Sequence, residues 1–150
     1  MNSKDLPQKI AIFPLSYAIV FPQTILPLNI FEDRYIQLID DCMKGKKLFG
    51  MVQPKISKGL KPEVYSVGCL GKITSFNETK DKRFLITLSG KIRFRIKKES
   101  NTMKMYREFK VDYSDFIDDL NALKMDDQQF DIKNLLNKVK LFLEKKKLFN

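Results

Sequence analysis

A chain of 150 residues with 43% hydrophobic residues and a formal net charge of +10 is long enough to bury a core without covalent staples. Histidine is absent, which removes the usual neutral-pH general base and every His-assisted nucleophile. The two cysteines, Cys42 and Cys69, lie too far apart for a CxxC motif or a disulfide framework, so the expected setting is reducing and cytoplasmic, and no apolar run reaches the ~18 residues of a bilayer span.

In chain order, KIAIF (9–13) alternates as a strand and Pro14 stops it. Residues 10–21 are apolar enough to imitate the core of a signal peptide, but Pro14 interrupts them and Asp5 sits in the supposed leader, so they read as folded protein. Pro14, Pro22 and Pro27 hold the residues before them extended and predict a stiff segment poorly hydrogen-bonded to sheet neighbours. At Asn29 the period changes. Asn29 and Glu32 have capping-box spacing, and Phe31, Tyr35, Leu38, Ile39 and Cys42 then recur at helical spacing until Lys44, Gly45, Lys46 and Lys47 close the helix.

KLFGMVQ (47–53) reads as a strand and PKISKGLKPEV (54–64) as a mobile loop. VGCLGKITSF (67–76) is a strand whose Gly68 and Gly71 mark a bulge, a bend or a close backbone approach, and NETKDK (77–82) is a polar turn. RFLITLSGKIRFRIKKE (83–99) puts Phe84, Ile86 and Leu88, then Ile92, Phe94 and Ile96, on one face; Gly90 between them permits the sharp coil that lets a short sheet close on itself. YREFKVDY (106–113) is a further strand. The composition then shifts, which divides the chain into a β-rich body, 1–114, and a linker with an amphipathic helix, 115–150, running from Asp126 through Ile132, Leu135, Leu136, Val139, Phe142 and Leu143.

The chemistry-bearing residues are sparse. Ser89 and Lys91 merely share a strand face, GCLGKIT lacks the spacing of a phosphate loop, and the neighbouring carboxylates Asp40–Asp41 and Asp118–Asp119 diverge by about 100° on a helix. No catalytic, cofactor-binding or metal-ligating residue is therefore assigned, and no cofactor is expected. Glu32, Arg34 and Arg93 are charges embedded in apolar pattern and predict a structural ion pair fastening the helix to the sheet. Phe21, Pro22 and Ile25 offer stiff apolar surface suited to a polypeptide groove. The excess charge is a weak pointer to phosphate: Arg34, Arg83, Arg93, Arg95 and Arg107 are the only arginines, and scattered lysine mostly solvates a surface.

The order of IFPLSYAIVFPQTILPLNIFEDRY, GMVQP and VGCLGKITSFNETKDKRFLITLSGKIRFRI resembles the amino-terminal substrate-recognition domain of the Lon protease family, in particular its stand-alone bacterial members without ATPase and peptidase parts. The likeness covers residues 9–113 and is carried by Phe13-Pro14-Leu15, Pro27-Leu28, Phe31-Glu32, Arg34-Tyr35, Gly68, Gly71, Gly90 and Arg93-Phe94. It implies a β-rich α+β fold, a coiled PUA-like barrel with one packed helix and a helical C-terminal segment. It also implies a non-enzymatic polypeptide-binding module whose partners are unfolded or exposed segments and a separate protease. RNA is the alternative ligand, since PUA-like barrels include RNA readers and Arg93, Arg95, Lys97 and Lys98 would form a basic strip. Relatives continue past FLEKKKLFN with more helices, so the apolar stripe of the last helix is expected to pack on the barrel, on a partner or on a second copy.

Overall fold

The computed structural model describes residues 2–55 and 62–124, with the side chains of 122–124 excepted. The chain divides into two units, Met1–Leu120 and Asn121–Asn150, and the fold below is that of the first. The expected loop centre, 56–61, and the amphipathic helix from Asp126 lie outside the described residues.

Six strands form one mixed sheet: β1 (Lys9–Pro14), β2 (Ile25–Ile30), β3 (Leu48–Val52), β4 (Val67–Glu78), β5 (Phe84–Ser100) and β6 (Arg107–Asp112). The spatial order is β2-β5-β4-β3-β1-β6, and β6 pairs again with the second half of β5, so five strands close into a ring and β2 is left outside as an edge. All pairings are antiparallel except β1 with β3. β5 can serve three neighbours because it is long and coiled. Its first half lies between β2 and β4 and its second half between β4 and β6, with register shifts opposite Leu70/Gly71 and within Ile96–Lys98.

The even-numbered face of β5 is buried from Phe84 to Phe94, as the alternation predicts, yet it feeds two cores. Phe84, Ile86 and Leu88 join Phe13, Phe49 and α1 in one cluster, whereas Ile92 and Phe94 join Ile10, Ile12, Leu70, Phe109 and Val111 in the other. Gly90 sits at the changeover. A Cβ there would collide with the backbone carbonyl of Phe21, which crosses directly over it, so the position needs glycine for close approach as well as for the coil. Gly71 is confined in the same way by Leu88, whose Cγ would lie 2.5 Å from an added Cβ.

α1 (Asp33–Lys44) packs Tyr35, Leu38 and Ile39 into the first cluster. It starts later than the capping-box spacing predicts. Glu32 is the N-cap, without a side-chain cap bond, while Asn29 belongs to β2 opposite Leu85 and Phe31 lies outside the helix, 58% exposed. Pairing with β5 through Ile30 outweighs the local capping signal. The second correction concerns the proline-stiffened approach, whose last six residues are fully registered on β5 rather than poorly bonded. Gly45 is the C-cap, but the left-handed conformation falls on Lys47, at φ 63°. Two further elements, η1 (Ser114–Phe116) and α2 (Asp118–Lys124), follow β6. Among the described residues no helix is long and apolar enough to cross a membrane.

Candidate functional site

Pro14 ends β1, and the ladder with β5 ends β2 at Ile30, shortly before α1 begins. Residues at and just after these two strand ends, with the start of α1, line a cleft of about 360 Å³. Its floor is Phe13 stacked on Tyr35, with centroids 4.0 Å apart and planes at 9°. Its rim carries apolar side chains that the fold leaves in water: Tyr17 (80% exposed), Phe31 (58%) and Met105 (58%). Exposed single apolar residues are ordinary, but three around one concavity form a surface with something to gain from a ligand.

The charged groups around the cleft are already matched. The Arg34 Nε and Nη2 each lie 3.1 Å from a Glu32 carboxylate oxygen, and the guanidinium covers the second face of Tyr35 at 5.1 Å. Arg107 donates from Nε and Nη2 to Glu99, both at 2.9 Å, and from Nη1 to the Pro62 carbonyl at 2.8 Å, so each of its three nitrogens has an acceptor. Arg83 pairs with Asp81 at 3.2 Å and leans over Phe31 at 5.8 Å. Beneath the rim, the Tyr106 hydroxyl donates to Asp41 at 2.6 Å; burial first, then this bond to a carboxylate, holds its pKa well above the usual phenol value. Burial likewise raises Tyr35, with Arg34 opposing.

The charge cluster expected of Glu32, Arg34 and Arg93 divides. Glu32 and Arg34 pair on the surface, while Arg93 belongs to Asp119, 26 residues on, with Nη2–Oδ1 2.9 Å, Nε–Oδ2 3.0 Å and its own backbone N–H donating to Oδ2 at 2.9 Å. Arg95 pairs with Asp115 at 3.2 Å and Lys97 with Asp112 at 3.7 Å, and the rings of the strip are shared too, since Phe116 lies under both Arg93 (4.8 Å) and Arg95 (5.8 Å). Arg93 therefore fastens the segment after β6 rather than α1. Three of the four cations of the expected basic strip are engaged within the fold.

Phe21 and Pro22 are half-buried where the chain crosses Gly90, and neither lines the cleft. Ile25 is 70% exposed at the far end of β2, some 17 Å from Ile30 by strand rise. Sequence reading missed Tyr17, Phe31 and Met105. The usable signal was Phe31, whose helical spacing disguised it as core. Of the reactive candidates, Ser89 bridges β2 and β4, and Lys91 is the extra residue of a bulge. The thiols of Cys42 and Cys69 are pushed up to about 12, in each case chiefly by burial, and are poor nucleophiles there. Among the described residues no group of three or more His, Cys, Asp or Glu could hold a metal ion.

The architecture is that of solved Lon N-terminal domains. The crystal structure of a Lon N-terminal domain protein from Xanthomonas campestris superposes with a TM-score of 0.58 at 25% identity, over 70% of this chain and 59% of that one. The N-terminal domain of a Mycobacterium avium complex Lon protease gives 0.54 at 14% identity, over 70% of this chain and 54% of the other, which speaks to the fold alone. The sequence profile described as the ATP-dependent protease La (LON) substrate-binding domain matches residues 9–149, and the chain belongs to that family. Similar curated proteins include Lon proteases of Dictyoglomus thermophilum, 28% identical over 97 residues, and Desulfosudis oleivorans, 30% identical over 100. These alignments take in 63% and 64% of this chain but 12% of each protease.

Proposed function

We propose that this domain is a non-enzymatic polypeptide-binding module, acting in the cytoplasm, that captures exposed apolar segments in the cleft between β1, β2 and α1. The observation that carries the reading is the ring of water-exposed Tyr17, Phe31 and Met105 around a preformed apolar floor, in a family described by substrate binding. Burying one aromatic and one thioether side chain against a ligand is worth about 2–4 kcal/mol before the cost of ordering it, enough for the weak, broad capture of unfolded chains. RNA is the poorer candidate because Arg93, Arg95 and Lys97 are held by carboxylates.

The test is titration with reduced, carbamidomethylated lysozyme, an unfolded polypeptide whose charge has the same sign as this protein, so that electrostatic attraction cannot mimic capture. Saturable binding that weakens in Phe31→Ser supports the proposal. Absence of saturable binding, or binding indifferent to the cleft residues, rejects it.

A further inference from the structure

Among the described residues the outer edge of β2 has no strand partner. Gly90 donates its N–H to the Thr24 carbonyl at 2.9 Å, which makes Ile25–Ser89 a non-hydrogen-bonded antiparallel pair. Alternation along the ladder then turns the N–H and C=O groups of Leu26, Leu28 and Ile30 toward β5, and those of Ile25, Pro27 and Asn29 outward. Pro27 fits this phase, since its missing N–H costs the ladder nothing. The outward set is two donors, from Ile25 and Asn29, and three carbonyl acceptors. Among the described residues no hydrogen bond from another segment reaches them, and the residues that bear them are exposed.

Edges of this kind are ordinarily guarded by lysine, proline or an inward charge; here Pro27 removes one outward donor, but Ile25–Ile30 contains no ionisable side chain and keeps the outward N–H groups of Ile25 and Asn29. The edge also runs directly into the cleft, because Asn29, Ile30 and Phe31 form part of its wall. We infer that β2 accepts an extended, uncharged polypeptide segment as an added strand, so that backbone hydrogen bonds to Ile25, Pro27 and Asn29 hold the segment while one of its apolar side chains enters the cleft beside Phe31. This inference rests on the polypeptide-binding reading and names the conformation and charge class of what is bound.

Charge decides among the occupants. The edge is neutral and Arg34, Arg83 and Arg107 beside it are matched by Glu32, Asp81 and Glu99, so among the described residues an acidic segment or a phosphate chain finds no unpaired arginine there. A second copy would bring its own +10 against the same charge. An uncharged strand suffers neither penalty, and recognition through backbone groups tolerates many sequences.

The experiment uses the full chain and a capped, fluorescent nine-residue peptide alternating leucine and serine, with two relatives N-methylated on one or the other alternate set of amides. Only one set of N–H groups can face β2, so one methylated peptide should lose about tenfold or more in affinity while the other stays within about threefold. Asn29→Pro, which removes an outward donor and leaves the β5 ladder intact, should cost about tenfold in peptide affinity with an unchanged melting curve. Equal binding of both methylated peptides, or equal loss, overturns strand addition. So does sedimentation showing a dimer that Asn29→Pro dissolves, which would assign the edge to a second copy. Should the unmethylated peptide fail to bind, unfolded lysozyme separates the failures: its saturable capture leaves the polypeptide reading standing without the strand, and its absence removes both.

Discussion

Arg93 of β5 clasps the carboxylate of Asp119 bidentately through Nε and Nη2, and the same carboxylate accepts the Arg93 backbone N–H. Asp119 is only 10% exposed at its side chain, and Leu120 beside it is buried in the second core. The pair thus holds the segment after β6 across the sheet. Asp119→Ala should lower unfolding free energy by about 1–2 kcal/mol, with the half-exposed Arg93 rehydrating and limiting the loss, as read by urea denaturation. Asp115→Ala, whose partner Arg95 is likewise exposed, should cost no more than about 0.5 kcal/mol.

Gly90 and Gly45 make a contrast of packing. An added Cβ at Gly90 meets the Phe21 carbonyl, a backbone atom that cannot rotate away, while at Gly45 the nearest atom is 3.8 Å off. Gly90→Ala should destabilise by about 3 kcal/mol and Gly45→Ala by less than about 0.5 kcal/mol, measured by thermal unfolding.

Alkaline conditions should weaken the fold. Cys42 and Cys69 are raised to about 12 from 9.0, so their contribution is fully present below pH 9 and is lost as the pH rises toward 12, because unfolded thiols ionise while folded ones remain protonated. Tyr106 and Tyr113 are shifted in the same direction by burial and add to the decline above pH 10. Urea midpoints should be flat from pH 7 to 8.5 and fall steadily beyond, more gently in Cys42→Ala/Cys69→Ala.

The exposure of Tyr17 and Phe31 separates binding from stability. Tyr17→Ser and Phe31→Ser should each change stability by no more than about 0.5 kcal/mol while weakening capture of unfolded lysozyme several-fold. Raising salt from about 50 to 500 mM should alter that capture by no more than about twofold, whereas phosphate-driven binding would fall by orders of magnitude.

The strands β1, β3, β4, β5 and β6 were legible because alternation is local and survives in any tertiary setting. The start of α1 was not. Asn29 satisfies a capping rule in sequence, but Leu85 of β5, 56 positions on, claims it, and no local signal reveals that partner. Arg93 shows the same limit: its embedding in apolar pattern signalled an ion pair, while the identity of Asp119 depends on how the chain returns after β6. The cleft was hidden for a related reason, since Phe31 sits at a helical interval from Tyr35 and Leu38 yet precedes the helix, and exposure follows from where β2 ends.

The central claim is that unfolded polypeptide is captured at the cleft, and site-specific photocrosslinking measures it most directly. A benzophenone amino acid placed at Phe31, compared with one at exposed Lys110 opposite Lys9 at the other end of β1, should crosslink unfolded lysozyme from the first position and not the second. Equal yields from both, or crosslinks from Lys110 alone, would contradict the account.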